Sequence, residues 1–113
     1  MHYRPNQTCK FRLLYSFGTS GSGNGAFPQS GIMVNGTIYG TTGFGGTNDD
    51  GIVFSLTKSK NDQWQETILY SFTGGNDGGA PLGQLIQDKQ GHLYGVCLRG
   101  GTQGGGVVFE VTP

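Results

Sequence analysis

At 113 residues the chain has the length of one ordinary domain or less. Its seven basic and seven acidic residues cancel, which argues against a phosphate-tracking surface and leaves no polybasic handle for anionic lipid. No apolar run is long enough to span a bilayer, so neither nucleic acid nor membrane insertion is expected.

Gly accounts for 23 residues, and only 12% of residues are charged. Without a pattern, that much Gly would signal low complexity. Here the glycines recur between apolar runs, which reads as turns and close strand packing.

Residues 1–8 are a polar lead-in without the apolar core of a signal peptide, which leaves the compartment open. Residues 11–17 are aromatic and aliphatic and predict a strand ended by Gly18. A Gly/Ser loop follows to Asn24, then a short strand over 31–34. Asn35-Gly36 is a hairpin signal, since both residues tolerate positive φ. Residues 37–42 return, a second Gly-rich loop carries Asn48-Asp49-Asp50, and 52–57 form the next strand. A charged turn over 58–62 leads into a longer strand over 64–72. The cycle then repeats: Gly-rich loop 73–81, strand 84–87, turn 88–91, strand 92–97, loop 100–106 and strand 107–111. No stretch has helical spacing, and the glycines would break a long helix.

The repetition is literal. Leu14-Tyr15-Ser16-Phe17 recurs 55 residues later as Leu69-Tyr70-Ser71-Phe72. The same offset carries Gly45-Gly46-Thr47 onto Gly100-Gly101-Thr102, and Ile52-Val53-Phe54 onto Val107-Val108-Phe109. The copies differ by indels confined to loops, as a structural repeat should. Several strands are apolar on both faces and so must be covered on both.

The expected fold is therefore all-β, with two four-stranded antiparallel blades of the propeller type: blade 1 over 9–63 and blade 2 over 64–113, one strand out of phase. Propellers close with about four to eight blades. Two blades would complete a ring by homo-oligomerisation, with a trimer favoured and a dimer or tetramer as the other sizes. In such a ring the first strand of one copy would complete the last three of another. A self-contained β-sandwich is the competing fold.

Residues Trp64 to Gly75, with Asp77-Gly78, Ala80-Pro81, Leu85 to Asp88, Gly91 to Gly95 and Gly106 to Phe109, closely resemble the bacterial tandem repeat called GloVer. The resemblance runs from about residue 9, and the second copy matches it better. The first copy has Cys9 in place of Trp64, and Asn35-Gly36 in place of the longer turn at 88–91. The resemblance implies a repeat fold in proteins usually exported or surface-anchored, and brings no catalytic residues with it.

The residues themselves point away from catalysis and from a cofactor. Asp88 and His92 lie across one turn, yet no oriented nucleophile accompanies them, and the repeated Ser16 and Ser71 are strand residues. Asn48-Asp49-Asp50-Gly51 and Asn76-Asp77-Gly78 are oxygen-rich but lack the spaced acidic run that calcium needs, so they read as turns and no metal is expected. Cys9 and Cys97 are either free thiols or one bridge. The ligand-binding candidates are aromatic platforms at Tyr39, Phe44, Trp64 and Tyr94, with Asn48, Asp49, Asn76 and Asp77 as hydrogen-bonding partners. They would suit a glycan. Against this, Tyr39, Tyr94 and Trp64 equally suit packing between blades. The expected role is a non-enzymatic structural or ligand-display protein; the alternatives are a carbohydrate-binding lectin and a small accessory subunit docking onto a larger complex.

Overall fold

The computed structural model of the chain describes residues 9–19 and 21–113. Seven strands follow in order: β1 (Ala26–Val34), β2 (Thr37–Phe44), β3 (Ile52–Lys58), β4 (Trp64–Ser71), β5 (Gly79–Gln87), β6 (Leu93–Arg99) and β7 (Val107–Val111). They form two antiparallel sheets. Sheet A runs β1-β2-β3-β4, and sheet B runs β5-β6-β7. Among the described residues there is no helix.

The all-β expectation holds, but the second sheet has three strands rather than four. Residues 11–17, expected to be a strand, form none. Their composition is strand-like, but a strand exists only where another strand edge supplies ladder bonds, and this segment lies beside no such edge. Sheet A takes its fourth strand from β4, so it ends at Ser71. β4, which opens the second copy of the duplicated sequence, is thus a strand of sheet A.

β1 and β5 both begin earlier than their apolar runs and include Pro28 and Pro81. Each is bonded on one side only, so the missing N–H of proline is tolerated. Both hairpins then lose register just beyond the proline, between Pro28 and Ser30 and between Leu82 and Ile86. At the first hairpin Asn35 (φ 51°) and Gly36 (φ 84°) both sit in the left-handed region, the geometry of a type I′ turn. A Cβ at Gly36 would meet nothing within 4 Å. Gly36→Ala is therefore expected to cost only the backbone strain, about 1 kcal/mol, in urea unfolding.

Each sheet crosses one tight point. Gly40 of β2 lies opposite Phe54 in register, and a Cβ there would stand 2.7 Å from the Phe54 ring. Gly95 of β6 stands to Phe109 in the same way, at 2.6 Å. The glycine lets an aromatic ring lie flat across its neighbour strand in both repeats.

The core has two parts. Val53, Phe72, Leu85, Leu93 and Cys97 are buried between sheets A and B, with Ile32, Tyr39, Leu69, Val107, Phe109 and Val111 packed around them. Ile52, Phe54 and Leu56 face the other side of sheet A, where Ile38 and Trp64 join them and Tyr15 and Phe17 of the N-terminal segment pack over them. Sheet A is thus covered on both faces, and β5 packs across β1 and β2. Both cysteines are free: Cys9 is exposed and Cys97 buried. Burial lifts the Cys97 thiol to about 11, so it is a packing residue and not a reactive thiolate.

Candidate functional site

The two repeats place the same residues in different surroundings, and the difference marks a site. Val53 and Val108 are 55 residues apart and occupy the same place in β3 and β7. Val53 is fully buried, while Val108 is 79% exposed. The face of sheet A that carries Val53 meets sheet B. The matching face of sheet B carries Ile86, Val96 and Val108, all exposed: Val96 pairs with Val108, and Ile86 pairs with Tyr94 of the same strand. Leu82 and Leu98 extend the patch. Exposed apolar side chains grouped on one sheet face make it the candidate contact surface.

The outer edge of β7 is open as well. β3 has β4 alongside it, whereas β7 has no strand on that side among the described residues. Beside that edge lies a groove of about 390 Å³, lined by Tyr70, Phe72, Asn76, Asp77 and the residues of β7. Tyr70 donates to Asp77 Oδ2 at 2.5 Å, and Thr73 donates to the same carboxylate through its hydroxyl (2.5 Å) and its backbone N–H (3.1 Å). Partial burial works against the Asp77 charge, but these hydrogen bonds outweigh it and hold the carboxyl below its ordinary value. The bond to Asp77 in turn raises the Tyr70 phenol. The rim of the groove is therefore fixed and acidic, while its floor is apolar.

The N-terminal segment occupies a complementary position. Tyr15 and Phe17 meet edge to face at 4.9 Å and 76°, and Phe17 reaches Phe54 at 4.9 Å. Their repeat mates Tyr70 and Phe72 meet at 5.1 Å and 73°, and Phe72 reaches Phe109 at 5.1 Å. Residues 9–17 thus stand to sheet A as residues 64–72 stand to sheet B. They make these ring contacts with no ladder partner among the described residues. Tyr15 donates to Glu66 Oε1 at 2.9 Å and accepts from Asn24 Nδ2 at 2.7 Å, and Arg12 reaches the Asp62 carbonyl at 3.2 Å. Burial raises both Tyr15 and Glu66, which keeps this contact a hydrogen bond to a part-buried carboxyl.

A polar cluster lies on the exposed face of sheet B. Asp88 Oδ1 accepts from the backbone N–H groups of Gln90 and His92, each at 2.9 Å; its Oδ2 accepts from Tyr94 at 2.9 Å and lies 3.0 Å from His92 Nδ1. Glu110 joins through Tyr94 at 3.2 Å and His92 at 3.5 Å. Burial opposes the Asp88 charge, but the bonds from His92, Tyr94 and Gln90 dominate and bring it down to about 2. The same hydrogen bond to Asp88, with burial and the two negative charges behind it, pushes Tyr94 up to about 12. A carboxyl depressed on folding stabilises the fold above its ordinary value of 3.8, and that contribution disappears as pH falls toward about 2. Thermal unfolding between those limits is expected to lose stability in the natural chain and to lose visibly less in Asp88→Asn. Equal acid sensitivity of the two would refute the assignment.

The eight ligand-binding candidates do not converge. Tyr39 packs into the core between the sheets and Trp64 against the other face of sheet A. Tyr94 belongs to the Asp88 cluster. Asp49, at φ 57°, accepts from the backbone of Gly21 and Gly45, each at 2.7 Å, and so organises its loop beside exposed Asn48. Phe44 is 41% exposed and meets Phe27, 59% exposed, edge to face at 5.6 Å. Only Asn76 and Asp77 line the groove. The residues that sequence reasoning passed over are Val108, Ile86 and Val96. For Val108 the signal was present in the repeat, because its mate Val53 is apolar and lies in a strand that needs cover on both faces. Among the described residues no group of three or more His, Cys, Asp or Glu side chains is placed to hold a metal ion.

Comparison with known families finds a match over residues 2–113 to the Gloeobacter/Verrucomicrobia repeat, the one that the motifs resemble. No curated protein and no solved structure matches the chain significantly.

Proposed function

The chain belongs to the Gloeobacter/Verrucomicrobia repeat family, and from that footing we propose that it is a non-enzymatic assembly unit, whose sheets stack with those of further copies into a propeller-type ring that displays its loops. The observation that carries this reading is the contrast between Val53, fully buried, and Val108, 79% exposed, at one repeat position. The joint between sheets A and B supplies the template, since Val108 on the open face of sheet B repeats Val53 on the covered face of sheet A, with Glu110 in place of Ser55. A head-to-tail contact of this kind closes into a ring when the rotation permits. The absence of an enzymatic role is part of the proposal: the Asp88–His92 pair is tied to a hairpin turn and to Tyr94, and the Cys97 thiol is buried and held up at about 11.

Light scattering coupled to size-exclusion chromatography tests it. The expected result is a discrete multiple of 11.9 kDa, with the trimer favoured because three copies give six blades. A well-folded monomer at every concentration would sink the ring. Co-purification of a different polypeptide on the open edge would replace it with an accessory-subunit role.

A lectin is the second reading, favoured by the exposed pair Phe27 and Phe44. Repeat two has Ala80 and Arg99 at those places, so the pair is not demanded by the repeat. A glycan array decides this: binding lost in Phe44→Ala would support it, and an empty array would dismiss it.

A further inference from the structure

We infer that the strand completing sheet B is residues 9–16 of a second copy, paired with β7 in one definite register that sets Arg12 opposite Glu110 and drives Phe11 into the groove. The inference rests on the assembly reading and adds the register of the joint and the contacts of Arg12 and Phe11.

The register follows from the pairing already present in the molecule. β3 and β4 pair Val53 with Tyr70, Phe54 with Ile68, Ser55 with Thr67 and Leu56 with Glu66, with an irregularity at Val53/Phe54. Shifting β3 forward by 55 residues gives β7, and shifting β4 back by 55 gives residues 9–16. The transposed ladder sets Val108 opposite Tyr15, Phe109 opposite Leu13, Glu110 opposite Arg12 and Val111 opposite Phe11.

Three independent observations agree with it. The first is charge. Ser55 and Thr67 are neutral, and their counterparts are Glu110 and Arg12, so an acidic residue has acquired a basic one directly across the ladder. The second is the groove. Glu66 reaches Tyr15 in repeat one; its counterpart Phe11 would reach Tyr70, which lines the groove. Phe11 is 89% exposed here, and the groove offers about 390 Å³ with Phe72 and Val111 in its wall.

The third lies at the inner end of the joint. Between sheets A and B, Arg99 pairs with Asp50 at 3.0 Å, and Ala80 N–H donates to the Asp50 carbonyl at 2.8 Å. The counterparts across copies are Phe44 and Phe27 against Gly105. Both halves of the ion pair are gone together. An exposed aromatic pair would seat on a glycine loop, and no charge is left stranded.

The test is paired. In a Cys9→Ser background, Arg12→Cys with Glu110→Cys is expected to cross-link copies into a covalent ladder that ends at the ring size. Leu13→Cys with Glu110→Cys, out of register, is expected to cross-link far less. Separately, Arg12→Glu and Glu110→Arg should each raise the concentration at which the oligomer dissociates by about tenfold or more, and the double swap should restore it. Circular dichroism confirms that each variant is folded. An oligomer that ignores the swaps and cross-links equally in both pairs would overturn this register while leaving the assembly standing. A folded monomer would overturn both.

Discussion

Phe72→Ala is expected to be the most damaging single side-chain truncation in the molecule, at about 4 kcal/mol. Phe72 is 1% exposed, and it is the point where the end of sheet A plugs into sheet B. Its ring touches Phe109 at 5.1 Å and Tyr70 at 5.1 Å, among Val53, Leu85, Leu93 and Cys97. Its backbone N–H also donates to the Gly51 carbonyl at 3.0 Å, which ties the strand end to the loop before β3. No flexible side chain stands ready to refill the space, because the surrounding residues are strand residues in register. A small domain has roughly 5–15 kcal/mol in all, so the variant should lie near its unfolding threshold.

The informative control is Phe17→Ala. Phe17 is the repeat mate of Phe72 and makes the matching contact to Phe54 at 4.9 Å, but it is only half-buried. An isolated chain should lose about 1–2 kcal/mol there. Urea unfolding of both variants, read by Trp64 fluorescence and by circular dichroism, gives the comparison. Equal costs would mean that the N-terminal segment is as deeply integrated as the strand end, against the half-buried environment described above. In an assembled ring the Phe17 cost should rise with protein concentration, because a second copy would cover that site.

Much of what the sequence made legible is what the repeat writes twice: the strands that do form and the need for cover on both faces follow from residues that recur. The Asn35-Gly36 hairpin does not recur, and was legible from its residue types alone. The type I′ geometry at φ 51° and 84° is what those two residue types demand. The misreading of residues 11–17 has a physical cause: their composition specifies a strand, but strand formation is a property of two segments, and the second is not beside them. The scatter of the ligand candidates over the structure has a related cause. Tyr39 and Tyr94 are repeat mates, yet one is packed between sheets and the other hydrogen-bonds Asp88 and Glu110. Sequence equivalence fixes position in a repeat and leaves the neighbour undetermined. Phe27 escaped notice because nothing in its composition signals a φ of 60° ahead of a proline, and only the fold brings it to Phe44.

Gly51→Ala should be nearly as costly, at about 3 kcal/mol, and its repeat mate separates two causes. Gly51 sits at φ +96°, outside the range of an L side chain. A Cβ there would stand 2.7 Å from Pro81 Cδ and closer still to the Thr42 carbonyl. It would therefore strain the backbone, push on its own hairpin and pry β5 away from sheet A. Gly106 shares the φ, at +105°, and its added Cβ would meet the Cys97 carbonyl at 2.6 Å, but no proline. Gly106→Ala in an isolated chain should thus lose only the strain and the local clash, about 1 kcal/mol less than Gly51→Ala. Equal losses would show that the seat of Pro81 on Gly51 contributes nothing to the joint. If copies stack as proposed, Pro28 of a neighbour takes the place of Pro81 over Gly106. The variant should then dissociate the oligomer at concentrations where each chain is still folded, a result that native mass and circular dichroism together would read without ambiguity.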